Sequence, residues 1–178
     1  MSGTVGVERV REVALRYRVG ELSTDELPMA AAELVAEGCD SPALCDLAGR
    51  ARRESAFESE ALLRQVVDEF GLSWPELADG ERWLLRSLAS RAAAGRTTPL
   101  ELARAVTERE LRGVGEDEKA LTRLLNQYCW CCGGRWTPAE FAVWEADVRA
   151  AAARVSAPVA GPGGTATGAE RQANCPGT

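Results

Sequence analysis

Ser23-Thr-Asp-Glu-Leu-Pro-Met-Ala-Ala-Ala-Glu-Leu-Val-Ala-Glu-Gly38 decides the fold, because a version of it returns as Thr98 to Gly113. Each copy follows a glycine, Gly20 or Gly95. Each opens with a capping box, in which the hydroxyl of Ser23 or Thr98 accepts from the third helical amide while Glu26 or Glu101 reaches back. Each closes on a glycine, Gly38 or Gly113, a residue suited to the left-handed conformation that ends a helix. The spacing of 75 residues extends upstream. Val10, Val13, Ala14 and Tyr17 lie on one face of a helix over 5–19, and they fall on Leu85, Leu88, Ala89 and Ala92 of a helix over 81–94.

Downstream, the second helix places Leu27, Ala30, Ala31, Leu34 and Val35 on a core face, whereas Arg109 and Glu110 stand where Leu34 and Val35 stood. The end of the second copy is therefore expected to face water or a partner. Asp40-Ser41-Pro42 starts a short third helix carrying Leu44 and Leu47, matched by Leu121 and Leu124 in a helix over 116–132. A fourth helix over 59–70 presents Leu63, Val66 and Phe70, matched by Phe141, Trp144 and Val148 in a last helix that begins at the capping box Thr137–Glu140 and runs to about residue 155. Ser59 is expected to cap the fourth helix as Thr137 caps the last. Between the units, 71–80 offers one helical turn from Ser73 to Glu76 and a cap at Asp79; so short a connection requires the halves to touch.

No credible strand appears. The expected fold is all-α, a duplicated four-helix unit of about eight helices packed as one globule. Residues 1–155 form the domain, with pseudo-repeats at 5–70 and 81–155. From residue 156 to 178 the chain has no periodicity and little apolar side chain, so a disordered C-terminal tail is expected.

Composition narrows the chemistry. The chain has 21 Lys plus Arg, of which Lys119 alone is lysine, and it has no histidine. Without histidine there is no Ser-His or Cys-His nucleophile pair, no HExxH zinc site and no His-containing zinc finger. Gly113-Val114-Gly115 follows a helix and lacks the third glycine and the lysine of a phosphate-binding loop. Glu116, Asp117 and Glu118 begin a helix, where the dipole favours carboxylates. No catalytic constellation stands out.

The formal net charge of −6 is concentrated early. Glu21, Asp25, Glu26, Glu33, Glu37, Asp40 and Asp46 occupy a run to Gly49 that contains no Lys or Arg. Either the basic neighbours, Arg9 to Arg18 and Arg50 to Arg53, neutralise this run within the fold, or it forms a negative face that steers in a basic protein partner and repels nucleic acid. No run of 18 apolar residues exists to span a membrane, and no basic region followed by an apolar run marks an export signal, so the expectation is a cytoplasmic protein with reduced thiols.

Cys129 and Cys132 form a CxxC, and Cys39 and Cys45 a second pair. Four thiolates could hold zinc, and a CxxC can also be a redox couple. Against both, Cys39-x5-Cys45 is loosely spaced, and Gly133-Gly134 puts the CxxC at a helix C-terminus, where the dipole raises thiol pKa values. The plainer reading is buried, structural cysteine with no cofactor. Of five tryptophans (Trp74, Trp83, Trp130, Trp136 and Trp144), three cluster around the last loop and helix and read first as core anchors of that helix; the alternative is an exposed interface, for which Trp130 and Trp136, flanking the Gly-Gly turn, are the candidates.

Taken together, Gly20-Glu-Leu-Ser-Thr-Asp-Glu-Leu-Pro28, Asp40-Ser-Pro-Ala-Leu44 and Trp83-Leu-Leu-Arg86 make the chain resemble small all-helical actinobacterial proteins of unknown function, over most of residues 5–155. That resemblance implies an all-helical fold and carries no activity. Such proteins are similar to the small acidic helical proteins that include toxin immunity proteins. The function expected first is a non-catalytic interaction module, of immunity or regulatory type, binding a basic partner through Glu21, Asp25, Glu26, Glu33, Glu37, Asp40, Asp46, Trp130 and Trp136. The alternative is a zinc-binding or redox protein centred on Cys39, Cys45, Cys129 and Cys132.

Overall fold

The computed structural model describes residues 2–50, 56–128 and 136–157. These form eight α-helices, α1 (Ser2–Arg18), α2 (Leu27–Ala36), α3 (Pro42–Ala48), α4 (Ala56–Glu69), α5 (Leu77–Ala93), α6 (Pro99–Glu108), α7 (Glu116–Leu125) and α8 (Pro138–Ser156), with a single 3-10 turn at Thr24–Glu26. There is no strand among the described residues, so the fold is all-α. The sequence expected as a tail lies outside the described residues from 158 onward, as do 51–55 and 129–135.

Two separate hydrophobic cores form, one from each half. Val10, Val13, Ala14, Leu22, Leu27, Leu34, Leu44, Leu47, Leu63 and Val66 build the first; Leu85, Leu88, Ala89, Leu102, Val106, Leu121, Leu125, Trp144 and Val148 are prominent in the second. Each fully buried leucine contributes about 1.5–3 kcal/mol relative to exposure, so each set is the main favourable term set against the entropy of ordering its own half. The same helix pairs touch in both halves: first with second and fourth, second with third and fourth, third with fourth. Between the halves α1 packs on α5. Gly80 permits the approach, since a Cβ there would stand 2.6 Å from Cγ1 of Val19, and Val19 packs against the second core.

Several boundaries differ from expectation, each for a local reason. Val35 is 39% exposed, because α2 turns it away from the core after Leu34. Ser59 is buried in the second turn of α4, which starts at Ala56, so it is no cap. Ser73 to Glu76 forms no helical turn. Instead Glu76 is the N-cap residue of α5, and its amide donates to the Asp79 carboxylate (3.3 Å), which makes Asp79 the third helical residue. In α6 the left-handed residue is Glu110 (φ 52°), three positions before Gly113. Gly113 is needed for a different reason: an added Cβ would lie 2.3 Å from the backbone carbon of Glu118. The seventh helix ends at Leu125, with Asn126 as its C-cap, short of the expected 132.

Candidate functional site

The acidic run extends from the turn after α1 through the 3-10 turn, α2 and the α2–α3 connection into α3, and the fold answers part of it. Glu21 pairs with Arg109 at 2.5 Å. Glu37 accepts from Nε and Nη2 of Arg9 at 2.9 and 3.0 Å, and these bonds hold its carboxyl below the usual range. Glu26 turns back on Ser23, accepting from its amide (2.8 Å) and its hydroxyl (2.7 Å). Asp25, Glu33, Asp40 and Asp46 are exposed, and none has a side-chain hydrogen bond or ion pair among the described residues. The outer face of α2 also presents Met29, Ala32 and Ala36, with Met29 54% exposed. Their spacing of three and four places them with Glu33 on one helical face. The result is an exposed apolar strip on α2 that carries Glu33, with Asp25, Asp40 and Asp46 exposed on the preceding turn, the following loop and α3.

The aromatic and thiol candidates separate. Trp136 is half-buried in a cluster with Tyr128, Phe141 and Trp144, meeting Tyr128 edge-on at 6.1 Å and Trp144 at 5.5 Å. With Ala139, Val143 and Trp144 it walls a groove of about 450 Å³. Trp144 is the anchor of this cluster, its indole Nε1 donating to the Leu124 carbonyl at 2.9 Å and tying α8 to α7. Trp130 lies outside the described residues, with Cys129 and Cys132. Cys39 is buried in the first core, and burial pushes its thiol pKa up; Cys45 is exposed on α3. Among the described residues no group of three or more His, Cys, Asp or Glu side chains is placed to hold a metal ion.

The most heavily bonded ionisable group is one that sequence reasoning passed over. Glu118, 1% exposed, sits in the first turn of α7. One carboxylate oxygen accepts from Nε of Arg82 (2.9 Å) and of Arg86 (2.8 Å) on α5; the other accepts from the amides of Val114 (3.0 Å) and Gly115 (2.9 Å). Burial on its own would raise the carboxyl pKa. The Gly115 amide, the two arginines and the Val114 amide more than offset that, holding it at about 2. This is a structural clasp between α5 and α7, since all acceptor directions face protein donors. Its signal in the sequence was the pair Arg82 and Arg86, one turn apart, ahead of Gly113-Val-Gly-Glu-Asp-Glu118. No helix among the described residues is long and apolar enough to cross a membrane. No protein-family model, curated protein or solved structure matches the chain.

Proposed function

We propose that the protein is a cytoplasmic, non-catalytic interaction module of immunity or regulatory type, and that the outer face of α2 with its flanking turns binds a basic partner protein. The observation that carries the reading is the exposed strip of Met29, Ala32 and Ala36 with Glu33 on α2, together with Asp25, Asp40 and Asp46 exposed on the neighbouring turn, loop and α3, carboxylates that no cation answers among the described residues. Such a surface complements an amphipathic segment whose apolar side chains are flanked by Lys or Arg. Glu21, Glu26 and Glu37 contribute less, because each is already bonded within the chain.

The test uses the immobilised protein and a variant carrying Asp25→Asn, Glu33→Gln, Asp40→Asn and Asp46→Asn. These side chains are exposed and hold nothing in place, so the fold survives. Four exposed pairs at about 0.5 kcal/mol each give about 2 kcal/mol, roughly a 30-fold loss of affinity for a partner captured by the native chain. Raising salt from about 0.05 M to about 0.5 M releases that partner. A partner held equally by the variant, or indifferent to salt, removes the proposal.

A further inference from the structure

The turn between α5 and α6 holds a second site, built on a different set of residues. Gly95 takes a left-handed φ of 71°, its amide donating to the Ala92 carbonyl (3.0 Å), while the Arg96 amide donates to the Arg91 carbonyl (2.9 Å). This double closure sets Arg96 and Thr97 rigidly beside Arg91, before Thr98 caps α6. Arg91, Arg96 and Thr97 line a cleft of about 380 Å³ whose other polar walls are Arg109, Glu21, Glu101 and Glu108.

The partners of those groups do not balance. All three carboxylates are committed: Glu21 to Arg109 (2.5 Å), Glu108 to Arg104 (2.6 Å), Glu101 to the amide and hydroxyl of Thr98 (2.8 and 2.9 Å). Arg91 and Arg96 are exposed and make no direct ion pair among the described residues, although Arg91 stands near enough to Glu101 to help the Thr98 amide and hydroxyl hold that carboxyl below its usual range. The hydroxyl oxygen of Thr97 is buried with no hydrogen-bond partner among them. The same turn in the first half shows what a purely structural solution looks like. Seventy-five residues earlier stand Glu21 and Leu22, and Leu22, 5% exposed, fills the first core. In place of that leucine the second half carries a hydroxyl, whose burial is unfavourable unless something bonds to it. The groups without a direct partner are thus the Arg96 guanidinium, that of Arg91 beyond its share in Glu101, and the Thr97 hydroxyl, all able to donate, and they suit a tetrahedral oxyanion.

We propose that the α5–α6 turn binds the phosphate group of a small molecule, through Arg91, Arg96 and the hydroxyl of Thr97. The site is independent of the basic-partner surface, which uses other side chains. The probe is inorganic phosphate, compared with chloride at equal ionic strength and pH, with the thermal midpoint of the full chain as readout. At ten times its dissociation constant, phosphate raises the midpoint of the native chain by about 3–5 °C over chloride. Arg96→Gln abolishes that difference. Arg112→Gln, an equal loss of charge at an exposed position outside the cleft, retains it. Thr97→Val, which keeps the shape and deletes the hydroxyl, has a midpoint in chloride at or above that of the native chain and a smaller rise in phosphate. The proposal is overturned by a native chain that does not distinguish phosphate from chloride. A full phosphate response in Arg96→Gln or in Thr97→Val, or its equal loss in Arg112→Gln, overturns it as well.

Discussion

Glu118 shows how little a residue's type says about its energetic weight. Its sequence neighbours Glu116 and Asp117 are exposed, as first-turn carboxylates usually are, while Glu118 alone is enclosed. The difference comes from Arg82 and Arg86, 36 and 32 residues away, which local reading cannot bring near. Glu118→Gln keeps the shape and removes the charge, with an expected loss of about 2–3 kcal/mol, read from the urea midpoint. That is below the 3–5 kcal/mol typical of a wholly buried pair, because both arginines keep part of their surface in water. The folded carboxyl titrates near 2 and the unfolded one near its ordinary value of about 4.3. The clasp therefore contributes fully above about pH 5 and is lost as pH falls towards 2, on the order of 3 kcal/mol in all. Subtracting the stability curve of Glu118→Gln from the native one isolates this acid-dependent part; two parallel curves between pH 5 and 2 would show that the clasp does not titrate there.

At the scale of elements, helix starts with a hydroxyl cap were legible and other ends were not. Thr98 and Thr137 accept from the amides of Glu101 and Glu140 at 3.2 Å, as their capping boxes require. The amide of Glu26 donates instead to the carbonyl of Ser23, in a 3-10 turn that delays α2 to Leu27. Thr98→Ala and Thr137→Ala are each expected to lower stability by about 1 kcal/mol, and Ser23→Ala by about half as much, in urea denaturation. Equal losses in all three would contradict the difference in geometry. The start of α5 was missed because its N-cap is Glu76, outside the usual set of Ser, Thr, Asp and Asn. The end of α6 was missed because Glu110, not a glycine, takes the left-handed conformation. Hydrophobic spacing, by contrast, located the buried faces of α1, α5 and most of α2, but in α7 it chose Leu124, which is partly buried, over Leu125, which is 1% exposed, and Val35 follows the period of α2 yet emerges into solvent.

For the molecule as a whole, the all-α class followed from the capping boxes and from apolar residues that recur at helical spacing up to about residue 155. The state of the acidic run followed in part: Arg9, one of the basic neighbours expected to neutralise it, pairs with Glu37, whereas Arg109, which pairs with Glu21, comes from the second half through a tertiary contact that no local pattern encodes. The division into two cores makes a prediction about Gly80. Ala at this position gains helix propensity of up to about 1 kcal/mol, but its Cβ would stand 2.6 Å from Cγ1 of Val19, a β-branched side chain stiff at χ1, so Gly80→Ala is expected to lose about 1 kcal/mol net. Leucine wedges α1 from α5 at a cost of about 3 kcal/mol. Calorimetry of Gly80→Leu should then resolve two transitions, one per bundle; one transition with an unchanged midpoint would mean that the seam adds nothing. The bond between Pro75 and Glu76 is also the natural place to nick the backbone, because the buried members of each core, with Leu72 and Trp74 on the first, would stay on their own fragment while Val19 crosses to the other. The severed pieces would recombine chiefly through α1 and α5, and their dissociation constant would be a direct scale for how strongly one bundle needs the other.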